Sequence, residues 1–193
     1  MQLEIVLFYG SVRTEREGIK AARFMNTILT ERGHTVHFID PKEYDFGLLD
    51  YMYKEYGPGT APGKMEELAE MIRRADAFVV VSGEYNHSIP PGLTNLMDHF
   101  LEEYGFRPSG IVSYSAGSFG GVRAAMQLRA FLTELGTVAI PTIYPIPKVQ
   151  DVFDADGVPL DERPVRHVQQ FVNELEWYAK ALRKGREEYP LPY

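Results

Sequence analysis

Apolar positions in this chain follow two alternating patterns. Leu3 to Tyr9, Thr35 to Ile39, Ala77 to Ser82, Ile111 to Ser115 and Val138 to Ile143 are short runs rich in Val, Ile, Phe and Tyr. Most lack polar alternation, which predicts strands buried on both faces, as in a parallel sheet. Between them the apolar residues recur every three or four positions. Ile19, Ala22, Met25 and Leu29 do so, as do Met65, Leu68, Ala69 and Ile72, then Ala125, Leu128, Leu132 and Leu135. The most regular stripe is the last: Val165, Val168, Val172, Leu175, Ala179 and Leu182 predict a helix over about residues 162–184 with one face on a core.

Strand and helix therefore alternate throughout, and right-handed crossovers turn that order into a three-layer, doubly wound α/β fold. Five strands favour the flavodoxin-like order 2-1-3-4-5 over the longer dinucleotide-binding order. No repeat or low-complexity tract divides the chain, and residues 1–193 are expected to form one domain. Two long connections, 41–62 and 145–164, are expected to serve function or an interface. The first is rich in Tyr and Phe; the second carries Asp151, Asp154, Asp156 and Gly157.

Composition narrows the chemistry. The formal charge of −7 argues against broad nucleic-acid binding. The chain has no cysteine, which removes disulfides, thiolate metal sites and cysteine nucleophiles. No apolar run approaches the ~18 residues of a membrane span, and the first residues read as a strand and not a leader, so a cytoplasmic protein is expected. Yet Gly10 to Arg23 holds four basic residues against two acidic ones, a local excess suited to one small anion.

Open parallel sheets bind ligands beyond the carboxyl ends of their strands. Three segments lie there. After the first strand, Gly10-Ser11-Val12-Arg13-Thr14-Glu15-Arg16-Glu17-Gly18 leads into a helix whose free N–H groups favour an anion. Arg13 and Arg16 could bind phosphate oxygens, although such a turn could equally cap and solvate the helix. After the third strand, Glu84-Tyr85-Asn86-His87-Ser88 precedes Pro90-Pro91 and offers an aromatic face with polar edges, suited to a flat heteroaromatic ligand or to a plain rigid turn. After the fourth, Ser115-Ala116-Gly117-Ser118-Phe119-Gly120-Gly121 allows close backbone approach to a ligand, or a tight strand-to-helix turn. Asn95 and Asp98 fit loop anchoring or a helix surface. His34 and His37, three apart near a strand, would face opposite ways and make no metal set.

These segments resemble the NADPH-dependent FMN reductase family of flavodoxin-like oxidoreductases, over roughly Met1 to Leu182. Gly10, Ser11 and Arg13 meet its G-S-x-R pattern; Glu84, Tyr85, Asn86, Ser88 and Pro90 meet E-Y-N-x-S-x-P; Ser113 to Gly121 match S-Y-S-A-G-x-F-G-G. Arg16 stands where many members carry serine, and Thr94 where the usual lysine lies. The resemblance implies bound FMN, with its phosphate on Ser11, Arg13, Arg16 and the backbone to Gly18. The isoalloxazine would pack by Glu84, Tyr85, Asn86 and His87, with Ser115, Gly117 and Gly120 alongside. It implies hydride transfer from NADPH or NADH to the flavin, then electron transfer to a quinone, flavin or similar small acceptor. No catalytic acid or base is required of the protein, because the cofactor carries the chemistry. Family members are commonly dimers or tetramers. Tyr51 to Tyr56 and Trp177-Tyr178 are therefore candidate interface pieces, with core packing an alternative for Trp177.

Rival readings are an electron-carrier flavodoxin, a phosphoacceptor domain and a serine hydrolase. The phosphoacceptor needs acids after the first strand, where Gly10-Ser11 stands. The hydrolase would use Ser118 in an elbow-like turn, with His167 and a late aspartate.

Overall fold

The computed structural model describes residues 1–192. Five strands, β1 (Glu4–Tyr9), β2 (Thr35–Ile39), β3 (Ala77–Ser82), β4 (Pro108–Tyr114) and β5 (Val138–Ile146), pair in parallel in the order 2-1-3-4-5. The helices between them are α1 (Gly18–Glu31), α2 (Gly63–Arg74), α3 (Pro91–Asp98), α4 (Val122–Glu134) and α5 (Arg163–Glu188). This is the expected flavodoxin-like α/β architecture.

Burial follows strand position. The central β3 and β4 are buried at every residue, which explains their unbroken apolar runs. Edge strand β5 alternates more openly. One core lies between the sheet and α1 with α5, built on Leu7, Tyr9, Ala22, Met25, Val168, Phe171 and Leu175. The other lies under α2, α3 and α4, around Phe8, Phe78, Val80, Leu68, Met97 and Leu128.

Several boundaries differ from expectation. β4 starts at Pro108, and β5 continues through Pro141 and Pro145 to Ile146. Both prolines are exposed, as an outer strand allows, and Arg129 of α4 donates to the Ile140 and Pro141 carbonyls beside a register shift. The final helix extends to Glu188. The connection after β5 is not open loop: one helical turn, Val149–Asp151, and a bridge between Phe153 and Pro159 fold it back, with Phe153 buried against Phe24. In the 41–62 connection, Phe46 meets His99 and Phe100 edge-on, and Asn95 holds the Gly47 carbonyl and the Leu49 N–H. Asn95 is thus a loop anchor. Trp177 is 65 % exposed, which excludes core packing as its role.

His34 and His37 do go separate ways. His34 Nε2 lies 3.0 Å from Glu176 on α5, while His37 Nε2 lies 3.4 Å from Glu4. Arg32 donates to the same Glu176 oxygen at 2.5 Å. Burial opposes the Glu176 charge, but these bonds prevail and hold its carboxyl down at about 2. Among the described residues, no helix is long and apolar enough to cross a membrane.

Candidate functional site

The segments after β1, β3 and β4 meet at the carboxyl edge of the sheet around a cavity of about 220 Å³. Ser11, Arg13, Arg16, Gly18, Glu84, Tyr85 and Ser115 all line it. Asn86, His87, Gly117 and Gly120 do not line this cavity but shape the two loops beside it.

The β1 loop starts where Gly10 N–H donates to the Val81 carbonyl at 2.9 Å, tying it to β3. Ser11 is buried; its hydroxyl lies 3.4 Å from the Tyr85 hydroxyl and accepts from the Arg13 N–H at 3.4 Å. No side chain caps the amino end of α1, and no acidic residue occupies its first turn. An anion therefore faces unmasked helix-start donors there. Glu17 is drawn onto Lys20 at 2.5 Å, whereas Arg13 has no ion-pair partner among the described residues. Arg16 is different. Its fork grips Asp40 at 2.6 and 2.5 Å and donates to the Ser11 carbonyl at 2.9 Å.

The β3 loop is a tight hairpin. Tyr85 and Ser88 exchange backbone hydrogen bonds at 3.0 and 2.9 Å, leaving Asn86 and His87 at φ 52° and 64°. Two left-handed residues in a two-residue turn normally ask for Asn and Gly, so His87 holds strain of roughly 1–3 kcal/mol. Glu84 turns away from the hairpin. Its carboxylate accepts the Arg123 and Ala124 N–H groups at 3.0 and 3.2 Å, capping α4 from another loop. Its packing beside a ring was expected; a structural task now accounts for both of those bonds.

Ser115 organises the third loop from within. Its hydroxyl donates to the Gly117 carbonyl and accepts from the Gly120 N–H, each at 2.9 Å. Gly120 and Gly121 sit at φ 64° and 74°, and a β-carbon on Gly121 would lie 2.6 Å from the Tyr114 carbonyl oxygen. These glycines serve the strand-to-helix turn and the close packing on Pro145 and Ile146.

Tyr114 was missed as a site residue because it reads as an interior position of the buried strand run Ile111 to Ser115. Its ring lines the cavity, stacks at 6.5 Å on Tyr9, and packs against Gly18 and Gly83. Burial, with Tyr9 beside it, pushes its phenol well above the usual range. It therefore stays a neutral hydroxyl. Its position at the carboxyl end of β4 was the available signal.

A family model described as NADPH-dependent FMN reductase matches residues 3–151. The chain belongs to that family. As a member it is an NAD(P)H-dependent FMN oxidoreductase with FMN as cofactor. It is 33 % identical over 143 residues to an NAD(P)H-dependent FMN reductase of Pseudomonas aeruginosa, covering 71 % of this chain and 76 % of that one. It is 37 % identical over 146 residues to a quinone reductase of Escherichia coli, covering 72 % and 74 %. In fold it is similar to the flavoenzyme NAD(P)H:(acceptor) oxidoreductase FerB of Paracoccus denitrificans, with a TM-score of 0.74 at 22 % identity over 94 % of this chain and 98 % of that one. None of these relatives supports a hydrolase. Ser118 and His167 are both exposed, and no hydrogen bond joins them among the described residues.

Proposed function

We propose that this FMN reductase passes electrons from NADPH or NADH to a quinone or a related small acceptor, using the cavity between the β1, β3 and β4 loops to hold FMN. One observation carries the placement: an uncapped helix start and the unpaired Arg13 lie beside a hairpin and a glycine loop at the same sheet edge. The donor set suits the cofactor. Arg13, Ser11 and the backbone to Gly18 would hold the phosphate, while Tyr85, Asn86 and His87 with Ser115, Gly117 and Gly120 would flank the ring. When bound, FMN supplies the redox chemistry, accepting a hydride and releasing electrons to the acceptor. The protein binds, orients and excludes water, and Tyr114 adds a hydroxyl that does not ionise in the neutral range.

The similarity to the Escherichia coli quinone reductase supports a quinone as acceptor. One domain over residues 1–193 would house the site, in the cytoplasm where pyridine nucleotides are reduced. A homodimer or homotetramer fits the exposed Leu48, Tyr51 and Trp177, since large apolar side chains at 88, 49 and 65 % exposure suit contact surfaces. No nucleic-acid or membrane partner is proposed.

The test is the visible spectrum of purified protein with and without FMN, followed by anaerobic NADPH and then a benzoquinone. The reading expects a bound-flavin spectrum, bleaching by NADPH and recovery on quinone addition. A protein with no FMN affinity at micromolar concentration defeats the site. Binding without bleaching would indicate an electron carrier.

A further inference from the structure

The phosphate loop contains two arginines, and the structure treats them differently. Arg16 pairs with Asp40, 24 residues further along the chain and directly after β2. Asp40 is 6 % exposed, and its Oδ1 also accepts the Lys42 N–H at 2.9 Å, so its carboxylate is fixed from its own side. The Arg16 guanidinium lies 5.2 Å from the Tyr9 ring centroid, sandwiched against β1. A bidentate Arg–carboxylate pair of this kind is directional as well as strong.

The consequence for the loop follows from peptide geometry. Arg16 Nη1 holds the Ser11 carbonyl at 2.9 Å. The peptide is trans, so the Val12 N–H points opposite to that carbonyl, away from the Arg16–Asp40 pair. It has no acceptor among the described residues. Asp40 thus fixes Arg16, Arg16 fixes the Ser11–Val12 peptide plane, and that plane presents a free donor beside Arg13. The charge on Arg16 is meanwhile matched by Asp40, leaving Arg13 as the loop's unpaired cation.

We infer that Asp40 is a positioning residue for the flavin phosphate, acting through Arg16, and that Arg16 is a staple of the loop while Arg13 is its ligand cation. The inference rests on the FMN reading above and assigns the division of labour within it.

Affinities for FMN and for riboflavin, which lacks the phosphate, test it by flavin-fluorescence quenching. Asp40→Asn should weaken FMN binding about tenfold while leaving riboflavin binding nearly unchanged. General loosening of the fold would lower both. Tighter FMN binding by Asp40→Asn would overturn the inference, because it would mean that a released Arg16 becomes a phosphate ligand. An unchanged FMN-to-riboflavin ratio would overturn it too. If Asp40→Asn does not fold, Arg16→Lys carries the test, since it keeps the charge but loses the fork. The staple predicts a fall in that ratio, and a ratio preserved by lysine refutes it. Wild-type protein that binds both flavins equally overturns this inference alone; one that binds neither overturns the FMN reading with it.

Discussion

The ring of Tyr114 occupies the space that a β-carbon on Gly18 would need: that carbon would lie 1.9 Å from Tyr114 Cζ. The first residue of α1 and the last residue of β4 are thus fitted to each other across the cavity. Glycine is required here by contact and not by backbone angle.

Gly18→Ala should therefore destabilise the protein by about 1–3 kcal/mol, as overpacking does, and lower Tm by several degrees. Shrinking the partner should relieve it. Thermal melts of Gly18→Ala, Tyr114→Ala and the double variant should show clear non-additivity, with the double variant less destabilised than the sum.

Arg13→Ala removes the unpaired cation of the loop. FMN binding should weaken about tenfold or more, consistent with the loss of a charge-assisted hydrogen bond of ~1.5–3 kcal/mol. Fluorescence titrations at rising salt should show a steeper loss of affinity in wild type than in the variant.

Glu84→Ala tests the cross-loop cap. Losing the acceptor for the Arg123 and Ala124 N–H groups should cost about 0.5–2 kcal/mol of stability in denaturant melts. It should also loosen the hairpin relative to the β4 loop, so that riboflavin and FMN affinities fall together, unlike the phosphate-specific loss expected from Arg13→Ala.

Glu176 predicts acid sensitivity. Its folded carboxyl sits near 2 against an ordinary 4.5, so the unfolded chain binds the extra proton between those values. The stabilisation is complete above pH 4.5 and disappears as pH falls towards 2. Glu176→Gln should be less stable than wild type at pH 7 by about 1–3 kcal/mol, with the gap closing in acid, as urea melts across pH would show.

The fold was legible because each strand announces itself as an apolar run and α1, α2, α4 and α5 as three-and-four stripes, whereas the short α3 shows only in the Pro90-Pro91 entry. β5 was cut short at Ile143 because Pro145 looks like a terminator, although an exposed outer strand tolerates it as it does Pro141. At the site, Ser11, Arg13, Gly18, Glu84, Tyr85 and Ser115 were visible as loop residues at predicted strand ends, and all line the cavity. Their partners were not visible. Nothing local marks Asp40 as the mate of Arg16, since parallel pairing of β1 with β2 brings them together. Tyr114 is hidden for the opposite reason: burial made it indistinguishable from core until Gly18 was placed against it.

The prolines of β5 also bear on how this protein can meet others. A strand added alongside β5 would find Pro141 and Pro145 without N–H groups and two neighbouring carbonyls already taken by Arg129. The sheet cannot be lengthened on that side. A neighbour arriving there must be recognised by its side chains, and fibril-like growth is left only the β2 margin to start from.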